Sequence, residues 1–144
     1  MPNNIFALLI GIDQYQTMPL TGCVRDSQDV EEYLRHTIQP DRLQLQTLRD
    51  DKATKSNIID GFLSHLGQAT ADDIVFVHYS GHGSREEADP VFWDFCPDYK
   101  NEIIVTVDSL TPDLLRSAND APPASSCLLD WFLGGVRLLM GPAA

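Results

Sequence analysis

The short stretch "YSGHGSRE", Tyr79 to Glu86, places an imidazole between two glycines directly after an apolar run. Histidine exchanges protons near neutral pH, so His82 is a candidate general base or acid. Gly81 and Gly83 leave the backbone free for unusual angles and let a second molecule approach closely. The N–H of Gly83, unshielded by a side chain, can serve a developing oxyanion. The plainer alternative is a turn that happens to contain a histidine. His36 and His65 fall on predicted helices and read as surface or boundary residues. His78 falls inside a predicted strand and reads as a hydrogen-bonded sheet residue.

An imidazole at a strand end is useful only if the sheet brings it to a ligand. "IFALLIGI", Ile5 to Ile12, is a continuous apolar run of strand length, as in a parallel sheet covered on both faces. A loop with Pro19 and Gly22 follows. From about Cys23 the chain turns helical, with Val30, Tyr33, Leu34 and Ile38 on one stripe and Pro40 as the stop. "RLQLQTLRD", Arg42 to Asp50, alternates leucine with glutamine and reads as a half-exposed strand near an edge. A second helix has Thr54 as its N-cap and an apolar stripe of Ile58, Ile59, Phe62, Leu63 and Leu66. "DIVFVHY", Asp73 to Tyr79, is a third strand, as apolar as the first. This β-α-β-α-β order predicts a mostly parallel sheet with helices on both faces. His82 then sits on the rim beyond the carboxyl ends of the strands, where open sheets bind ligands.

Beyond the histidine, Ser84 to Asn101 reads as a polar, acidic loop. Glu102 to Asp108 reads as a strand or hairpin arm. A short helix follows, with Thr111 as N-cap and Pro112 in its first turn. From Asn119 the composition changes to paired prolines, a mixed apolar run and small residues. The expected division is a domain over 1–118 and an atypical tail over 119–144.

The 144 residues suit one domain, and 43% hydrophobic with 22% charged residues is a globular composition. The net charge of −11 repels phosphate backbones, so nucleic acid is not an expected partner. The three cysteines, Cys23, Cys96 and Cys127, include no CxxC pair. That count argues against a disulfide framework and a zinc site, and for a reducing, cytoplasmic setting. The first apolar run lacks a basic flank and ends at Asp13, so it reads as a strand rather than a signal peptide. No stretch reaches the roughly 20 apolar residues of a membrane span.

"ALLIGIDQY", "LTGCVRDSQDVEEYL", "DDKATKSNI" and "DIVFVHYSGHGS" resemble, in order and spacing, the caspase-like cysteine peptidases of the metacaspase and orthocaspase branch. The resemblance covers about the first 108 residues. It implies a caspase-like three-layer α/β sandwich, incomplete at its C-terminal side, and an endopeptidase with a Cys–His dyad. His82 matches the catalytic histidine and Gly83 the oxyanion-hole amide. Cys23, Asp26 and Ser80 match the residues lining the primary specificity pocket. An acidic pocket implies a polypeptide substrate cleaved after Arg or Lys, since a carboxylate holds a guanidinium through paired hydrogen bonds. Asp26 is equally suited to the first turn of a helix, where its charge favours the macrodipole.

Some metacaspases need Ca²⁺. Glu86, Glu87, Asp89, Asp94 and Asp98 offer hard oxygen ligands for it, although without a fixed ligand spacing they read first as a solvated acidic loop. The family's Asp-Ser/Cys-Cys-His-Ser-Gly nucleophile motif does not occur here. Cys127 lies downstream of His82 at nearly the caspase separation of about 50 residues. It follows "APPASS" rather than a strand, and Cys96 sits in the acidic loop between Phe95 and Pro97. Two readings stay open: a cysteine endopeptidase, and an inactive caspase-fold regulatory or interaction module. A flavodoxin-like ligand-binding domain shares the strand order, but no glycine-rich phosphate loop follows the first strand.

Overall fold

The computed structural model describes residues 3–87, 90, 94 and 100–109. Strand β1 (Ile5–Gly11) is followed by helix α1 (Cys23–Thr37), strand β2 (Leu43–Arg49), helix α2 (Lys55–Asp60) and strand β3 (Ile74–Ser80). The three strands form one parallel sheet in the order β2-β1-β3. The apolar first run is therefore central, and the leucine–glutamine strand lies at an edge, as its alternation predicts.

Period-two alternation divides β1 between two cores. Ala7 and Leu9 pack with Leu34 of α1, with Val30, Ile38, Leu45 and Phe76 around them. Phe6, Leu8 and Ile10 point the other way, onto Ile58 and Leu66, with Phe62 against them. Each face of β1 thus meets a helical layer, which is why no polar residue interrupts it. Burying an aliphatic side chain contributes about 1.5–3 kcal/mol, and Ala7, Leu8, Leu9 and Ile10 are all fully buried. β3 is as apolar but less covered: only Val75 is buried in it, and Ile74 is 43% exposed.

Thr54 is the N-cap of α2, accepting a hydrogen bond on its side chain from the Asn57 N–H at 3.2 Å. This helix is shorter than the apolar stripe suggests. After Asp60 it widens into a π turn over Gly61–His65 and tightens to 3₁₀ over Leu66–Gln68.

The acidic segment contains structure that its polarity conceals. β4 (Gly83–Glu87) pairs antiparallel with β5 (Lys100–Ile104), with Gly83 opposite Ile104 and Glu87 opposite Lys100. The expected loop therefore begins and ends as a hairpin. The strand expected over Glu102–Asp108 starts at Lys100 and ends at Ile104. Val105 to Ser109 then crosses the strand ends, tied by Val105 N–H to His82 O at 3.0 Å, Val107 N–H to Ala53 O at 3.1 Å and Lys55 N–H to the Asp108 carboxylate at 2.9 Å. The helix expected after Thr111, the tail over 119–144, and Cys96 and Cys127 lie outside the described residues.

Candidate active site

The parallel register sets Gly11 of β1 level with Arg49 of β2 and Ser80 of β3. The chemistry-bearing side chains gather just past that line. Two acids organise the rim. Asp13 leaves β1 and turns its carboxylate onto the start of α1, accepting from Cys23 N–H at 2.8 Å and Val24 N–H at 3.2 Å. It does the work of an N-cap side chain, because the residue at the cap itself is Gly22, at φ 105°. Asp50, at φ 45°, accepts from the Asp13 and Gln14 amides at 2.9 and 3.0 Å.

Alternation at the end of β3 sends successive side chains to opposite faces. Ser80 points to the α1 side, where its hydroxyl donates to Asp26 Oδ2 at 3.0 Å. Cys23, one turn before Asp26, lies near enough to Ser80 for the Ser80 hydroxyl to act on its thiol. The three residues assigned to a specificity pocket by resemblance are thus neighbours. Burial is the main influence that pushes the Cys23 thiol up. The Ser80 hydroxyl opposes this, and the negative charges of Asp13 and Asp26 add to it. A helix N-terminus ordinarily favours thiolate, but Asp13 already occupies the free amides there. Cys23 is therefore a neutral thiol suited to lining a pocket and unsuited to nucleophilic attack.

Tyr79 points to the other face. Its hydroxyl donates to His82 O at 2.6 Å, and the Tyr15 hydroxyl accepts from His82 N–H at 2.9 Å. The His82 ring lies against the Tyr15 ring, with centroids 4.6 Å apart and planes tilted by 48°. Its Nε2 is 2.7 Å from the Met18 carbonyl. A carbonyl can only accept, so Nε2 carries the proton and Nδ1 of the neutral ring is left with a lone pair. Among the described residues Nδ1 has no hydrogen-bond partner. Met18 stands at φ 57°, a left-handed conformation costly for an ordinary residue, and one often kept at functional sites.

Gly81 and Gly83 act differently from the expectation of unusual angles. Among the described glycines only Gly22 has a positive φ. Gly81 is needed for space: a Cβ there would lie 2.5 Å from the Tyr15 hydroxyl and 2.6 Å from that of Tyr79. Gly83 opens β4 with room around it, a Cβ meeting only Ile103 O at 3.8 Å.

The remaining histidines separate clearly. His36 is exposed, with Nδ1 2.8 Å from Glu32 O. His65 is structural: Nε2 is 3.0 Å from Ala7 O, and its ring meets Phe6 edge-on. His78 departs from the expected hydrogen-bonded sheet residue, because its buried Nδ1 has no partner among the described residues. Burial lowers its pKa, with the Asp26 charge opposing.

Of the acids proposed for Ca²⁺, Glu87 and Asp94 are exposed, Asp89 and Asp98 lie outside the described residues, and Glu86 is described only as part of β4. No group of three or more His, Cys, Asp or Glu among the described residues could hold a metal ion. No helix among them is long and apolar enough to cross a membrane.

Residues 6–119 match the family model described as metacaspase, peptidase C14 domain. The chain belongs to that family of caspase-like peptidases. It is 36% identical over 86 residues to metacaspase-1B of Aspergillus terreus, covering 55% of this chain and 23% of that protein. It is 35% identical over 86 residues to metacaspase-1 of Coccidioides immitis, covering 55% of this chain and 19% of that one. The chain therefore spans about a fifth of the length of these relatives. The crystal structure of protein GSU0716 from Geobacter sulfurreducens shares the fold, with TM-score 0.62 and 22% identity, over 94% of this chain and 48% of that one.

Proposed function

We propose that this chain carries the proton-transfer and substrate-selecting part of a cysteine endopeptidase site that cleaves after Arg or Lys. The observation that carries the proposal is the adjacency, at one strand end, of the Ser80–Asp26 pair with Cys23 beside it and of His82 held by the Met18 carbonyl. Asp26 receives the cationic side chain. His82 Nδ1 takes the proton of the attacking thiol, whose sulfur bonds to the scissile carbonyl carbon. The same ring returns that proton to the departing amine, and the Gly83 N–H donates to the oxyanion. We assign residues 1–118 to the catalytic-domain portion and 119–144 to an atypical tail, and the protein to the cytoplasm.

The nucleophile in this scheme is Cys127. The neutral, Asp13-shielded Cys23 speaks against its own use in that role. The surroundings of Cys127 keep a second reading in play, an inactive caspase-fold regulatory or interaction module. Fluorogenic peptides ending in Arg, Lys or Asp separate the two, assayed with and without Ca²⁺. The peptidase predicts release after Arg and Lys only, abolished by His82→Ala. Absence of turnover on every peptide in both conditions overturns the peptidase and leaves the module.

A further inference from the structure

We infer that Tyr15 and Tyr79 are positioning residues for His82, two hydroxyls that grip its backbone from both sides. The inference rests on His82 being the proton-transfer residue of the proposed site, and it concerns side chains to which the family resemblance assigns no role.

Four backbone groups and two hydroxyls close on one another here. Each phenol has one proton to donate. Given to the tightest carbonyl contact of each, the Tyr79 proton goes to His82 O at 2.6 Å and the Tyr15 proton to Val105 O at 2.9 Å. The oxygens then accept: Tyr15 from His82 N–H at 2.9 Å, Tyr79 from Val105 N–H at 3.3 Å. The hydroxyls lie 3.1 Å apart, and Val105 N–H also reaches His82 O at 3.0 Å. Both polar groups of the His82 backbone are therefore fixed, and fixed to the segment that crosses the strand ends.

Both phenols stay protonated at any working pH, since burial pushes each pKa up. The hydroxyls are permanent donors and acceptors, not titrating groups. Gly81 completes the arrangement, because any larger residue would drive its Cβ into both hydroxyl oxygens. The Tyr15 ring also supports the imidazole directly. With backbone and ring face held, the Met18 carbonyl meets Nε2 rather than Nδ1, and the free lone pair stays on Nδ1.

The test is read by NMR on the isotope-labelled chain without substrate, using Tyr15→Phe, Tyr79→Phe and Gly81→Ala, with exposed Tyr33→Phe as the control. Two signals decide. The first is exchange of the His82 amide relative to the Leu9 amide in β1, which cancels any global loss of stability. The second is the tautomer of the neutral His82 ring from its ¹⁵N shifts. We expect Tyr15→Phe to raise the exchange ratio about tenfold, the worth of one net hydrogen bond. We expect Tyr79→Phe and Gly81→Ala to convert a single Nε2–H tautomer into a mixture, and Tyr33→Phe to change neither signal. An unchanged ratio and an unchanged tautomer in the folded Phe variants overturn the inference. If a Phe variant fails to fold, Gly81→Ala, which keeps both hydroxyls, decides by the same signals. Because no cleavage is measured, failure of the clamp and failure of the peptidase proposal are separate results.

Discussion

Asp13→Asn tests how the rim is built. Asp13 accepts from the first two amides of α1, beside the Cys23 thiol. A charge at a helix N-terminus contributes about 0.3–1 kcal/mol. The asparagine keeps one carbonyl oxygen for capping, so the loss in stability stays near that range. Asp13→Ala removes the cap entirely and costs about 0.8–3 kcal/mol when the capping and dipole contributions are combined. The same substitution reaches the thiol. Asp13 disfavours the Cys23 thiolate through its charge and by covering the helix amides, so neutralising it lowers the thiol pKa, while burial still holds it up. About 0.4–1 kcal/mol corresponds to a two- to fivefold larger thiolate fraction. Alkylation by iodoacetamide at about pH 8, followed by mass spectrometry on the Cys23 peptide alone, measures it. Two- to fivefold faster modification in Asp13→Asn is the expected result. An equal or slower rate in a folded variant refutes the account of why Cys23 is inert.

Two further changes probe how α1 is held against the sheet. Gly11→Ala would place a Cβ 2.7 Å from Cys23 O and 2.8 Å from Ser27 Cβ. It should cost about 1–3 kcal/mol in denaturant melts as overpacking, and shift the Cys23 and Asp26 amide signals because α1 must move off the sheet. Glu31 bridges Arg49 at 2.6 Å and Arg35 at 2.8 Å, and the Arg49 hydrogen bond chiefly holds its carboxyl below the usual range. A depressed folded-state value gives stability that is present above the unfolded value of about 4.3 and is lost as pH falls through the folded one. Melts taken from about pH 6 down to about pH 3 should therefore lose up to about 1 kcal/mol more in the native chain than in Glu31→Gln. Identical pH slopes in the two proteins would count against that bridge.

The sequence carried the frame of the fold because local pattern and burial agree there. β1 reads as apolar throughout since both of its faces meet helices, and Thr54 caps a helix three residues from its partner. The β4–β5 hairpin escaped because "GSREE" has no apolar alternation; a backbone ladder holds it. α2 reads longer than it is, since the stripe through Phe62 and Leu66 survives the change to π and 3₁₀ turns. At the site, His82, Asp26, Cys23 and Ser80 were visible as a motif. Their holders were not. Asp13 caps a helix ten residues away, beyond the reach of any local capping rule. Tyr15 and Met18 fall in "DQYQTMPL", which reads as loop, and they meet His82 more than sixty residues later only because β1 and β3 are adjacent.

Selection of a positive charge by Asp26 is the step on which the proposed activity turns, and calorimetry can isolate it from catalysis. A short peptide ending in arginine is titrated into the chain beside its citrulline counterpart, which keeps the shape and lacks the charge. The account predicts at least about tenfold tighter binding of the arginine peptide, the worth of a charge-assisted pair, and loss of that preference in Asp26→Asn. Equal affinities for the two peptides, or a preference that survives Asp26→Asn, would contradict it.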